Sequence, residues 1–124
     1  MRTARFAIAL MILYAACVKL HGQGGQAVIM HEVPLHVRHF SGTVVDSRGM
    51  TVEYATVELR DPKDHHVLAS TFADGRGNFS FDDKKYGKRV EIRAFQKNFN
   101  ITQYTAMRRP FGDLHIRLVL TPAT

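Results

Sequence analysis

Histidine has the most obvious capacity for chemistry in this sequence, because imidazole binds zinc and copper and exchanges protons near neutral pH. His31, His36 and His39 lie close together, and His65 and His66 are adjacent. If residues 36–39 are extended, their odd separation puts His36 and His39 on opposite faces of a strand, where they cannot chelate one ion without a bulge. We therefore expect a solvated segment there, and no metal or other cofactor.

A catalytic set built on a nucleophile is not indicated either. The serines occupy strand or turn contexts and lack the strained elbow that exposes a nucleophilic serine. Asp74, Gly77 and Asn78 form a series that superficially resembles a calcium loop. The series lacks oxygen ligands at alternate positions and a terminal glutamate, so a turn is the better interpretation. We expect no enzymatic activity. The serines considered are Ser41, Ser47, Ser70 and Ser80.

Aromatic side chains are the remaining candidates for ligand contact, because exposed rings on β-sheet proteins can stack on sugars. The chain has no tryptophan. Tyr54, Tyr86, Tyr104 and Phe111 fall in or near predicted loops and are the plausible platforms. Core packing or loop anchoring is the more common use of such rings. Sugar binding would need at least two of them exposed on one rim of the domain.

The first 22 residues have the pattern of a secretory signal peptide. Arg2 and Arg5 precede an apolar run over residues 6–18 that contains no charge, and Lys19 follows it. The run is shorter than the roughly 18 to 20 apolar residues that cross a bilayer. We therefore expect an exported protein, periplasmic or secreted, with no membrane-spanning helix.

Cys17 is the only cysteine, and it follows two alanines at the end of the apolar run. This position resembles a bacterial lipoprotein signal, in which such a cysteine becomes the lipid-bearing N-terminus, although Tyr14 stands where an aliphatic residue is usual. The alternative is a cysteine removed with the leader. Both alternatives leave the mature chain without an intramolecular disulfide, so that its stability must come from its core.

The charge balance of the mature chain argues against nucleic acid as a partner. The full chain has 17 basic and 11 acidic residues, and Arg2, Arg5 and Lys19 belong to the predicted leader. The remaining 14 basic and 11 acidic residues give a net charge of +3. Nucleic-acid binding needs a stronger and more continuous basic surface. The expected partner is an envelope protein or a glycan, and contact with a membrane is expected only through the leader or a lipid at Cys17.

Beyond a weakly patterned lead-in over residues 23–39, the chain reads as short strands separated by turns. Alternation is clearest in Val57 and Leu59 against Glu58 and Arg60, which is typical of a half-buried strand. Turn residues recur about every ten positions, which favours one all-β domain over residues 40–121. His115 should face outward between Leu114 and Ile116. Seven strands are predicted, over residues 40–44, 55–60, 67–73, 79–81, 90–94, 101–107 and 114–120.

Three consecutive motifs carry a resemblance to a known family. The motifs are Gly42-x-Val44-x-Asp46-x-x-Gly49, Val52-x-x-Ala55-x-Val57-x-Leu59 and Thr71-x-x-Asp74-x-x-Gly77-x-Phe79-x-Phe81. By these motifs, residues 38–121 resemble the carboxypeptidase regulatory-like domain, which belongs to the transthyretin-like group of folds. The resemblance implies a seven-stranded, antiparallel, Greek-key-like β-sandwich of the prealbumin type, serving as a non-catalytic structural or protein-interaction module at the bacterial cell envelope. Because the wider fold group includes carbohydrate-binding modules, a weak sugar-binding role is the alternative.

Lipidation can be tested by expressing the native chain and Cys17→Ala with labelled fatty acid. We expect no label that depends on Cys17, because Tyr14 departs from the lipoprotein pattern. Incorporation into the native chain, and its loss in Cys17→Ala, would instead establish a lipid anchor.

Overall fold

The alternating segments of the sequence form strands in the computed structural model, which describes residues 26–123. The predicted signal peptide and Cys17 lie outside these residues. A short 3₁₀ helix, Asp83–Lys85, precedes the sixth strand. All seven predicted strands are present, and one more precedes them. The strands are β1 (Val28–Val37), β2 (Ser41–Asp46), β3 (Thr56–Arg60), β4 (Val67–Phe72), β5 (Asn78–Ser80), β6 (Arg89–Phe95), β7 (Ile101–Arg108) and β8 (Ile116–Leu120).

The strands form two sheets, which confirms the all-β prediction. Five strands pair in the order β1-β7-β6-β3-β4, and three pair in the order β5-β2-β8. Side chains on the facing surfaces of the two sheets form one apolar core. The core therefore lies between two layers, as in a β-sandwich.

Two details of the predicted architecture are wrong. The structure has eight strands, because the lead-in contributes β1, and the sheets are mixed, because β1 runs parallel to β7 and β2 runs parallel to β8. Pro34 hides β1 in the sequence, since proline lacks the N–H that a strand uses and interrupts the alternation. In the structure the pairing of β1 shifts register between His31 and Leu35, so the proline falls in an irregular stretch of an edge strand, where it is tolerated.

The core is built from side chains at every second strand position. Leu59, Ile92 and Leu118 are fully buried, and burying an aliphatic side chain of this size contributes roughly 1.5–3 kcal/mol. His115 is exposed, which confirms the prediction for its face. Leu114 was predicted to be buried and is 62% exposed, because β8 begins only at Ile116.

Two aspartates shape equivalent turns at β2 and before β5. The Asp46 side chain accepts hydrogen bonds from the backbone N–H groups of Arg48 and Met50 at 2.9 and 3.0 Å. Asp74 accepts equivalent bonds from residues 76 and 78 at 2.8 and 3.0 Å. These bonds, first that from residue 78, lower the pKa of Asp74. Its carboxylate thus satisfies the backbone of a turn, as the sequence predicted, and does not extend toward a ligand site.

Gly42 pairs with Ile116 where β2 lies against β8. A Cβ atom on Gly42 would stand 1.9 Å from the carbonyl oxygen of Ile116, well inside van der Waals contact. The contact is with backbone, which cannot move aside as a flexible side chain can. Glycine is therefore required for the parallel pairing of β2 with β8.

Replacing Gly42 by alanine should destabilise the protein by more than about 2 kcal/mol, because the added methyl group must separate two paired strands. The matched control is Gly87→Ala, since a Cβ atom at Gly87 has nothing within 4 Å. Urea denaturation of the full-length chain measures both effects. Equal effects of the two substitutions would show that β2 and β8 do not pair as described.

Candidate functional site

The four aromatic candidates do not gather on one rim of the domain. Tyr54 and Phe111 are exposed, at 60% and 95%, whereas Tyr86 and Tyr104 are partly buried against the core. Tyr54 precedes β3, and Phe111 follows β7. Because β3 and β7 are both antiparallel to β6, they run in the same direction, and these two rings lie at opposite ends of the five-stranded sheet. They cannot stack together on one small sugar.

Tyr104 was a predicted ligand-contacting ring in or near a loop, but it lies in the middle of β7, in the strand that alternation predicted over residues 101–107. Its ring stacks on the imidazole of His31 in β1, with ring centroids 3.9 Å apart and planes 5° from parallel. His31 Nε2 is 2.9 Å from Thr102 Oγ1. Burial raises the pKa of Tyr104 and lowers the pKa of His31. The pair holds β1 against β7, which is a structural role and not that of a sugar platform.

The clustered histidines of β1 are engaged with protein partners as well. The Arg109 guanidinium donates a hydrogen bond to His36 Nδ1 at 3.0 Å. His31 lies on the other side of the register shift and bonds to Thr102. Each of these two histidines therefore has its own hydrogen-bonding partner, and the register shift lies between them along β1.

Among residues 26–123, one group of three potential metal ligands comes together, in the turn between β3 and β4. Ligand atoms of Asp61, Asp64 and His66 lie within 4.8 Å of one another. The Asp64 carboxylate accepts hydrogen bonds from the backbone and ring of His66, and the bond from the ring is the main reason that the pKa of Asp64 is lowered. The Asp61 carboxylate accepts the backbone N–H of Lys63 at 2.8 Å. These bonds close the turn, which accounts for the grouping without a metal ion.

A row of polar residues crosses the outer face of the five-stranded sheet. Gln103 Oε1 accepts two hydrogen bonds from the Arg93 guanidinium at 2.9 and 2.6 Å, and Glu91 Oε1 is 2.9 Å from His65 Nδ1. Glu91 and Gln103 are buried although they lie on the outer face. Desolvation, then the nearby Arg60 charge, lowers the pKa of Arg93. The alternation of Glu91 and Arg93 with Val90, Ile92 and Ala94 places both on the outer face, but it contains no information on the partners, His65 and Gln103, that they meet there.

Strand β1 carries the largest run of exposed apolar side chains that the described residues offer on a sheet edge. Met30 is 65% and Val33 is 78% exposed, and Val28 and Ile29 are also exposed. We refer to residues 28–33 as the β1 edge. Sequence reasoning missed this surface because Pro34 concealed the strand; the apolar run VIM before it was the available signal.

A second surface feature is an open cleft of about 380 Å³ near the start of β6. We refer to it as the basic cleft. Four cationic residues line it, together with the apolar side chains of Leu68 and Tyr86. Tyr86 was a predicted ligand-contacting residue. Three of the cations lie within residues 85–89, and the fold adds Lys63 from the β3–β4 turn, which the sequence did not predict. The cations are Lys63, Lys85, Lys88 and Arg89.

Neither a family model nor a curated protein matches this chain. The resemblance to carboxypeptidase regulatory-like domains therefore stays a prediction from the motifs. Within residues 26–123, no helix has the length and apolar character needed to span a bilayer.

The His31–Tyr104 stack predicts a specific pH dependence. Burial lowers the pKa of His31 below its ordinary value of 6.5, so the unfolded chain binds more protons than the folded chain at mildly acidic pH. The contribution that the buried, neutral His31 makes to the free energy of unfolding is complete above pH 6.5. It is lost as the pH falls through the folded-state pKa of His31. His31→Phe keeps an aromatic ring on Tyr104 and should reduce the loss of stability on acidification.

Two measurements check this prediction in the full-length protein: an NMR titration of the His31 imidazole, and urea denaturation of both proteins at pH values on either side of 6.5. The comparison between native protein and variant isolates His31 from the other histidines. A His31 pKa at or above its ordinary value, or the same pH dependence in both proteins, contradicts the burial of this ring.

Proposed function

We propose that this protein is an exported, non-catalytic module that binds a protein partner at the bacterial cell envelope by accepting a strand at the β1 edge. The observation that carries this function is the exposure of consecutive apolar side chains on an edge strand, at Val28, Ile29 and Met30. The predicted leader supports the location of the protein at the envelope, in the periplasm or outside the cell. A lipid at Cys17 is the alternative, in which the protein is anchored to the membrane.

The backbone geometry of β1 supports strand addition. The Ala27 carbonyl accepts a hydrogen bond from the N–H of Ile101 in β7, at 2.8 Å. In a parallel ladder, alternate residues of one strand bond to the neighbour, so the polar groups of Ile29 are directed to β7 and those of Val28 and Met30 are directed away from the sheet. An extended peptide can bond to these outward groups while its side chains contact the apolar surface.

The positions of residues that prevent unwanted strand pairing also support strand addition at the β1 edge. Natural proteins protect edge strands with charges, prolines and bulges. Pro34 and the register shift protect the second half of β1, but residues 28–30 carry neither a charge nor a proline. The opposite edge, β4, also exposes Val67 and Phe72 but is shorter, at 6 residues against 10 in β1. An unprotected edge of this kind is expected where a partner covers it.

A non-catalytic role is supported by the hydrogen bonding of the acid–base groups. Each of three such groups forms a hydrogen bond with a side chain from another segment and so holds that segment in place. The pairs are Glu91 with His65, His31 with Thr102, and His36 with Arg109. The sugar-binding alternative is weakened by the separation of Tyr54 from Phe111, because each would have to act alone. Strand addition is therefore the better supported function.

The test compares full-length variants in capture of a partner from the envelope fraction of the native source. Met30→Lys adds a charge to the β1 edge and should weaken binding at least about tenfold, measured with the purified partner by calorimetry. Phe111→Lys is the matched control, because it puts the same charge at an exposed position beside the other end of β1, near Val37 and away from residues 28–33. Hydrogen exchange should show new protection of the outward amides of Val28 and Met30 when the partner is bound.

If Phe72→Lys loses binding and Met30→Lys does not, the partner binds at β4, which contradicts the proposal. Binding on a glycan array that disappears in Tyr54→Ala would support the carbohydrate alternative instead. A partner that binds all three lysine variants with the same affinity would rule out both edges of the five-stranded sheet as its binding site.

A further inference from the structure

We propose that the basic cleft binds a phosphate monoester carried on a compact organic body. This site is separate from the β1 edge, since it lies by the β3–β4 turn and the start of β6, with β7 between β6 and β1. It is a ligand site in addition to the protein-binding edge.

Three segments bring positive charge to the cleft. Lys63 comes from the β3–β4 turn, Lys85 from the 3₁₀ helix, and Lys88 and Arg89 from the start of β6. The ion pairs that the described residues form, His65–Glu91 and His66–Asp64, include none of these four cations. Like charges gathered around one concavity repel each other, and an anion bound between them would remove that repulsion.

One carboxylate, that of Asp61, also lines the cleft. Its Oδ1 atom accepts the backbone N–H of Lys63, so its hydrogen-bonding capacity is partly used within the turn. The cleft therefore keeps an excess of three positive charges among its lining residues. This local excess equals the net charge of the whole mature chain, which is +3 from 14 basic and 11 acidic residues.

The backbone around the cations is held in place before any ligand binds. The Asp82 side chain accepts the N–H of Lys84 at 3.1 Å and begins the 3₁₀ helix. The ring of Tyr86 packs against the core, and the carbonyl of Lys88 accepts the N–H of Arg108 at 2.7 Å. A fixed backbone lowers the entropy lost when side chains close on a ligand.

The size and lining of the cleft favour a phosphate monoester. A volume of about 380 Å³ falls at the small end of the range typical of sites for small organic ligands. A phosphate monoester carries close to two negative charges at neutral pH, and its oxygens suit both lysine and the planar arginine fork. Leu68 and Tyr86 provide apolar surface for the organic part of the ligand. A carboxylate, with one charge, would satisfy fewer of the four cations.

The experiment titrates the full-length protein with glycerol 3-phosphate at constant ionic strength, followed by NMR and calorimetry. The amide signals of Leu68 and Gly87 should shift on binding. Lys85→Gln/Lys88→Gln should weaken binding at least about tenfold. The control is Arg48→Gln/Lys97→Gln, which also removes two exposed charges but away from the cleft, and it should change the affinity by less than about twofold. Both double variants should keep the native circular dichroism spectrum.

Two further probes define the ligand class. Phosphatidylcholine vesicles that contain phosphatidic acid present the same monoester on a lipid, and vesicles without it are the control. Binding to the phosphatidic acid vesicles but not to glycerol 3-phosphate supports the site with a lipid as its ligand. Binding to glycerol 3-phosphate but not to the vesicles supports a free ester. Glucuronate supplies a carboxylate on a ring. Equal affinity for glucuronate, equal weakening by both double variants, or no binding of either phosphate probe would overturn the proposal.

Discussion

The difference in width between the two sheets determines most features of this molecule. Three strands face five, so the smaller sheet shields the middle of the larger one and leaves its margins to solvent. Within the larger sheet, full burial is accordingly concentrated in β3 and β6, at residues such as Leu59 and Ile92. At the margin formed by β1, apolar side chains are exposed instead. The core and the β1 edge are thus two consequences of the same mismatch.

The His31–Tyr104 stack lies at the boundary between the covered and uncovered parts of the large sheet. The Tyr104 side chain packs against the core between the sheets, and its ring stacks on His31 in β1. One side chain therefore connects the core to the edge strand of the large sheet. Aromatic and histidine rings suit this position because each has apolar faces and polar atoms at its rim.

Polar groups on the outside of the large sheet contribute to its stability in a different way. Arg93 is paired with Gln103 across β6 and β7, and Glu91 is paired with His65 from a turn. Buried polar groups are costly when they lack partners and fix a unique arrangement when they have them. The network holds the β3–β4 turn against β6, beside the basic cleft. The position of the turn that supplies Lys63 thus depends on contacts made on the outer face.

The sequence by itself determined the all-β class, the seven patterned strands and the aspartate turns, because alternation and turn chemistry depend on residues a few positions apart. It also predicted the outward position of His115. The tertiary structure decided which strands pair, that β1 exists despite Pro34, and that two pairings are parallel. It alone separated Tyr54 from Phe111, placed Tyr104 against His31 and brought Lys63 to the cations of residues 85–89. These features join residues far apart in the chain, and local patterns contain no information on such distances.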